Sequence, residues 1–244
     1  NYQAASREGG GVAIAGLARA SRLSEATGIQ GEFSAAQYLQ DAERAFAHLQ
    51  ANNLKYDDDG VENIIDDYTA LLAAVELYRA TQKSVYLDAA RQRAHNLNQR
   101  LAPEGWFRSD SGTRPYYHAA EAGFPVVSLV QYLDIVRDAQ RADAARKTIK
   151  AALNYQIALT DKVANPYDYA RQNFRTYKEG KRGDRVLEGF FIPHANETGY
   201  WWQGESARLA SLATAAILGR RIVASAPPSP GWPNVGSTCS RSHQ

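Results

Sequence analysis

Methionine is absent from the 244 residues and cysteine occurs once, at Cys239. A single cysteine excludes an internal disulfide framework, and no Cys/His group has zinc-site spacing, so neither a metal nor another cofactor is expected. No run approaches the roughly 20 apolar residues of a membrane span. Asn1 does not open a charged-then-apolar signal peptide, which leaves a periplasmic, secreted or cytoplasmic location open. Blocks of five or more like charges are also missing, and the net charge is only +2. Phosphate-binding surfaces need clustered Lys and Arg, so neither nucleic acid nor a membrane surface is an expected partner. The lack of methionine over such a length suggests a piece of a longer polypeptide.

What is abundant is apolar residues at helical spacing, within a hydrophobic share of 44%. From Phe33 to Leu49 they fall at Ala35, Tyr38, Leu39, Ala42, Ala45, Phe46 and Leu49, one buried stripe with Ser34 as N-cap. Ile64, Ile65, Tyr68, Leu71, Leu72, Val75 and Tyr78 mark a second helix behind the turn Asp57-Asp58-Asp59-Gly60. A third runs from Ser84 to Leu101 and stops before Pro103. Val12 to Ser24, Ala119 to Asp138 (with Pro125 near its first turn), Ala139 to Ala158 and Gln203 to Val223 complete about seven helices. No strand alternation is convincing. The expectation is an all-α fold of stacked helical hairpins, closing into an α/α toroid or remaining an open solenoid.

Asp161 to Tyr200 lacks clean periodicity yet is rich in aromatics, including Tyr167, Tyr169, Phe174 and Tyr177. A long irregular stretch of that composition reads as a functional loop rather than a disordered one. From residue 224 to 244 the composition turns Pro- and Ser-rich, and an unfolded tail is expected.

The densest chemistry lies in Phe190 to Glu205, which sets two carboxylates (Glu197 and Glu205), a histidine (His194) and the aromatics Tyr200, Trp201 and Trp202 at the mouth of a helix. Sugar sites need this mixture, because ring faces stack on aromatics while hydroxyls need fixed polar partners. A glutamate beside such aromatics stays protonated through desolvation and can donate to a glycosidic oxygen. The plainer alternative is a capped helix start with Trp201 and Trp202 in the core and Glu205 solvated.

The run His194-Ala195-Asn196-Glu197-Thr198-Gly199-Tyr200-Trp201-Trp202-Gln203-Gly204 resembles the C-terminal signature of glycoside hydrolase family 9. There, Asn-Glu is followed by a small residue at plus two and an Asn-small pair at plus six. Glu197 holds the glutamate place and Gly199 the small one, while Gln203-Gly204 replaces the Asn-Ala pair. The wording is closer to the exo-acting glucosaminidase branch than to the cellulases. Weaker matches are Glu62 to Tyr68, Glu76-Leu77-Tyr78, His118 to Gly123 and Asn165-Pro166-Tyr167, so that the likeness spans most of residues 8 to 218. It implies part of an (α/α)6 toroid over residues 1 to 223 and an inverting hydrolase of β-1,4-linked glucosamine-containing or gluco-oligosaccharides, with Glu197 as general acid. His194, Trp201, Trp202, Tyr169, Arg171, His118 and Glu121 become its candidate substrate contacts.

The family's second catalytic element, an aspartate pair in an Asp-Ala-Gly-Asp-like motif, has no counterpart here. Inversion needs a base carboxylate about 6.5 to 9.5 Å from the acid. The base is therefore expected from a missing N-terminal part of the same catalytic domain, or from a substitute such as Asp66 or Asp67, whose place in a first helical turn is also what the helix macrodipole favours. Asp57, Asp58, Asp59 and Glu62 do not match a calcium loop and read as a solvated turn. Two rivals stand beside the hydrolase: a non-catalytic helical-repeat module that binds a glycan or a protein, and another α/α-toroid hydrolase or epimerase using different groups.

Overall fold

The computed structural model describes residues 4–29, 31–115, 122–178, 181–190 and 204–224. Among them are seven α-helices and one two-stranded antiparallel sheet. The helices are α1 (Gly11–Thr27), α2 (Ala35–Tyr56), α3 (Ile64–Thr81), α4 (Ser84–Arg100), α5 (Phe124–Leu133), α6 (Ala139–Thr160) and α7 (Glu205–Val223); the strands are β1 (Gln172–Lys178) and β2 (Lys181–Gly189). A π-helical turn at Ser6–Gly10 leads into α1.

The packing order follows from where the apolar residues fall. α1 packs on α2 and α3, α3 on α4 and α5, and α5 on α6 and α7. The odd-numbered helices thus make one row and the even-numbered ones back it. α3 is apolar nearly all round and buries Leu71, Ala73, Ala74, Val75 and Leu77, as a helix with neighbours on every side must. α2, α4 and α6 each bury a single stripe: Ala42, Phe46 and Leu49; Tyr86, Ala90, Ala94 and Leu97; Ala145, Ile149 and Leu153. Truncating a core leucine such as Leu77 or Leu97 to alanine costs about 2–5 kcal/mol, since the rigid helices around it cannot close the cavity.

Two crossings depend on the absence of a side chain. A Cβ on Gly11 would lie 2.7 Å from Thr69 of α3, and one on Gly123 would lie 2.0 Å from the backbone oxygen of Ser211 in α7. Glycine is what lets α1 meet α3, and the head of α5 meet α7, at these distances.

The helix ends are set by short polar side chains. Ser34 accepts from the Gln37 amide at the head of α2. Asn63 and Asp66 form a reciprocal capping box on α3, two of its otherwise orphaned donors being satisfied. Pro125 falls in the first turn of α5, where its missing N–H costs nothing.

The fold departs from the sequence expectation in three places. α2 continues to Tyr56, beyond Leu49. α5 spans only Phe124–Leu133: it starts after Gly123, its N-cap, and ends where the Asp134, Ile135 and Val136 amides turn back onto the carbonyls of Gln131 and Tyr132. The stretch read as a loop without strands contains β1 and β2, paired from Gln172 with Gly189 to Lys178 with Lys181 and interrupted by a bulge between Arg175 and Tyr177. The bulge and the many charged residues hide the period-2 signal. Of the tail, only Ala224 is described.

Candidate functional site

Three connections join an even helix to the next odd one: residues 57–63, 101–123 and 161–204. Because α3 and α4 are joined by only two residues and lie side by side, the hairpins run antiparallel and these three connections share one end of the helical layer. The first two are linked directly, the Ile64 amide donating to the Ser109 carbonyl at 3.0 Å.

Beneath the first connection lies a buried network of acids and arginines. Arg7 donates through Nε to Asp66 at 2.9 Å and lies 3.0 Å from Asp57. The Asn53 amide reaches Glu62 at 2.8 Å and Asp66 at 3.1 Å. Arg93 grips Glu62 with both terminal nitrogens, at 2.6 and 2.7 Å, and Asp67 receives Arg93, Asn96 and Arg100 at 3.1, 2.9 and 2.6 Å.

Asp66 and Asp67 are 0% and 1% exposed, so neither presents a carboxylate to a solvent-borne water, and their partners give them the work of fixing the loops. Asp57 corrects the reading of a solvated turn: it is 6% exposed, whereas the side chains of Asp58 and Asp59 do face solvent. Burial, reinforced by the Asp66 charge and only partly opposed by Arg7, pushes the Asp57 carboxyl up to about 7. Glu62 goes the other way: burial raises it, but the Arg93 fork and the Asn53 amide outweigh that and leave it below the ordinary range. Among the described residues, no three His, Cys, Asp or Glu side chains are grouped to hold a metal ion.

The third connection is clasped by one arginine. Arg208, in the first turn of α7, is 0% exposed. Its Nε donates to both Glu205 oxygens at 3.1 Å, and its Nη2 donates to Glu205 Oε1, to the Ala170 carbonyl at 2.7 Å and to the Phe190 carbonyl at 3.1 Å. Its own amide donates to the Gly204 carbonyl at 3.0 Å. The residues that immediately precede and follow the 191–203 segment are therefore bonded to the same side chain or its backbone.

Tyr169 completes the clasp, its hydroxyl donating to Glu205 at 2.7 Å and its ring lying edge-on to Phe190 with Arg208 beneath. Arg171 donates to the Leu159 carbonyl at 3.1 Å and lies over the Phe190 ring. Glu205 is thus only partly solvated: its side chain is 27% exposed and its carboxylate is held by Arg208 and Tyr169. Burial raises its pKa, but the bonds from Arg208 and Tyr169 outweigh that and hold it below the ordinary carboxylate range.

Of the candidate site residues, Tyr169 and Arg171 are brought together by this clasp. Glu197, His194, Trp201, Trp202, His118 and Glu121 lie outside the described residues. Glu205 is one of the two carboxylates of the 190–205 stretch but not a candidate substrate contact, and Arg208 is not singled out by the sequence reading, although the Glu-x-x-Arg spacing at the head of an apolar-periodic helix is a readable signal for an ion pair one turn apart. Glu76, part of the weaker resemblance, receives Arg19 and Arg79 at 2.7 Å each and Arg22 at 3.3 Å. Ten residues along α3 from Asp66, it sits about 15 Å away from the loop end, as a helix tie.

Compared with protein-family models and with curated proteins, the chain matches none.

Proposed function

We propose that this chain is the acid-bearing part of an inverting β-glycosidase of the family 9 type, with Glu197 as the proton donor. The observation that carries the reading is the His194–Gly204 run together with the clasp at its base. General acid catalysis requires a carboxyl held at one place relative to the departing oxygen. Arg208 holds both flanks of the segment that bears Glu197, and Tyr169 and Arg171 brace the same point. In this reading the segment's aromatics desolvate Glu197 and keep it protonated at neutral pH, and its proton passes to the departing glycosidic oxygen as the bond to the anomeric carbon breaks.

The seven described helices, the odd-numbered ones in one row with the even-numbered ones behind it, would in this reading be part of an (α/α)6 toroid. Asp66 and Asp67 are occupied by arginines and amides, which supports a reading in which neither is the base and the water is activated by another carboxylate of the same domain. Glucosamine-containing oligosaccharides are the first substrate class and cello-oligosaccharides the second.

The same saturation of Asp66 and Asp67 favours, as a second reading, a module that binds glycans without cleaving them. Hydrolysis of both oligosaccharide classes, measured for this chain and for a longer polypeptide carrying upstream aspartates, separates the two. Hydrolysis lost on Glu197→Gln supports the enzyme; binding without hydrolysis in either polypeptide supports the module.

A further inference from the structure

The sequence has no block of like charges, yet the fold gathers three arginines about one acid toward the end of α3 remote from the loops. Arg19 and Arg22 come from α1, and Arg79 from α3 itself. Arg19 Nη2 and Arg79 Nη1 each donate to Glu76 Oε1 at 2.7 Å, and Arg22 Nη2 donates to Oε2 at 3.3 Å. Glu76 is 1% exposed, so its one charge serves this group alone. Arg79 is paired a second time, with Asp134, and also donates to the Gln131 side chain. Three guanidinium groups against two carboxylates leave one positive charge over, and it falls on Arg19 and Arg22. Glu25, one turn beyond Arg22, forms no ion pair with either of them among the described residues.

These two arginines are also the ones that solvent reaches. Their side chains are 48% and 38% exposed, against 18% for Arg79. Arg19 uses only Nη2 within the protein, which leaves Nε and Nη1 as donors without an acceptor. Arg22 also uses only Nη2, and since its Nε is buried, Nη1 is the donor left to solvent. Their Nη2 atoms hold the two oxygens of a single carboxylate, so the guanidinium groups stand side by side, three residues apart on one face of α1. Both side chains are already held in place, which lowers the entropy lost when an acceptor arrives.

We infer that Arg19 and Arg22 form a binding site for a small phosphate-like oxyanion. Planar guanidinium forks match the oxygens of such a group, and the unneutralised charge supplies an attraction that a balanced ion pair lacks. Glu76 acts in two ways: its carboxylate sets the two guanidinium groups in place, and its charge weakens the site they form. The cluster lies about 15 Å along α3 from Asp66, and the inference does not rest on the glycosidase reading.

The test is calorimetry and phosphorus NMR with inorganic phosphate at pH 7, the ionic strength being held constant with chloride. The parent is expected to bind phosphate, and Arg22→Gln to weaken binding about fivefold, the factor that one unit charge at about 4 Å gives in water. Glu76→Gln, whose amide oxygen still accepts from an arginine, is expected to tighten binding by a similar factor. Arg44→Gln, at an arginine 79% exposed on α2 and paired with Asp41, is expected to leave it unchanged. If Glu76→Gln does not fold by circular dichroism, Arg19→Gln takes its place, with the loss expected of Arg22→Gln. The inference is overturned if the parent binds phosphate no better than chloride, if Arg22→Gln binds as the parent does, or if folded Glu76→Gln binds no more tightly. It is overturned as well if Arg44→Gln loses as much as Arg22→Gln, which would mark a general attraction to surface charge.

Discussion

Replacing Arg208 by methionine removes the clasp while keeping an unbranched chain of similar length in its place. Breaking a buried ion pair from one side costs about 3–5 kcal/mol when the remaining charge stays buried. Here Glu205 keeps Tyr169 as a donor and has a side chain 27% exposed, so it rehydrates in part and the loss falls to about 2 kcal/mol. The Ala170 and Phe190 carbonyls lose their donor, at about 1 kcal/mol each. Against this, Nη1 of Arg208 is buried without a partner, and removing it returns about 1 kcal/mol.

The net expectation for Arg208→Met is a destabilisation of about 3 kcal/mol at pH 7, read as a lowered urea midpoint at unchanged m-value. Because the bound Glu205 has a lowered pKa, its contribution is present above the ordinary glutamate range and lost as pH falls through the folded value. The difference between parent and variant is therefore expected to shrink in acid. In a double-mutant cycle with Glu205→Gln the coupling should exceed about 1 kcal/mol. A destabilisation under about 0.5 kcal/mol, typical of an unconstrained surface position, would refute the clasp.

Asp57 gives a pH dependence of opposite sign. Its carboxyl is raised in the fold to about 7, so its contribution is fully present below the ordinary aspartate range and is lost as pH rises from about 4 through 7. Asp57→Asn is expected to flatten the fall of stability in that window, measured by denaturant titration at several pH values. Gly123→Ala would press a methyl group against the Ser211 carbonyl and is expected to cost about 3 kcal/mol or to prevent folding, seen by circular dichroism and thermal melting. Glu76→Gln is expected to cost about 1–2 kcal/mol, modest because Arg19 and Arg22 are partly exposed, and to leave glycan binding unchanged, since it sits at the far end of α3.

The helices were readable because their periodicity is local: each stripe, the Ser34 cap and the Asn63–Asp66 box lie within a few residues of one another. The hairpin was not, since a bulge and a row of charged residues mask its alternation. The buried state of Asp57 was unreadable for another reason. Its counter-charge comes from Arg7, far away in sequence, and three adjacent aspartates look like a solvated turn until that arginine is folded over them. At the candidate site, the chemistry-bearing run was legible as composition, and Glu205–Arg208 as a one-turn pair. That Arg208 would also collect the Ala170 and Phe190 carbonyls depends on how the 161–190 stretch folds back, which no local pattern states.

The most direct test of the proposed activity is the release of reducing sugar from glucosamine- and cello-oligosaccharides by a longer polypeptide that includes this chain and upstream aspartates, compared with the same polypeptide carrying Glu197→Gln. Loss of the general acid is expected to lower the rate by about 10²–10⁴-fold on these poor leaving groups, and far less on an aryl glycoside whose leaving group needs no proton. Unchanged hydrolysis by the Glu197→Gln variant, or none by the parent, would contradict the assignment of Glu197 as the acid of a glycosidase.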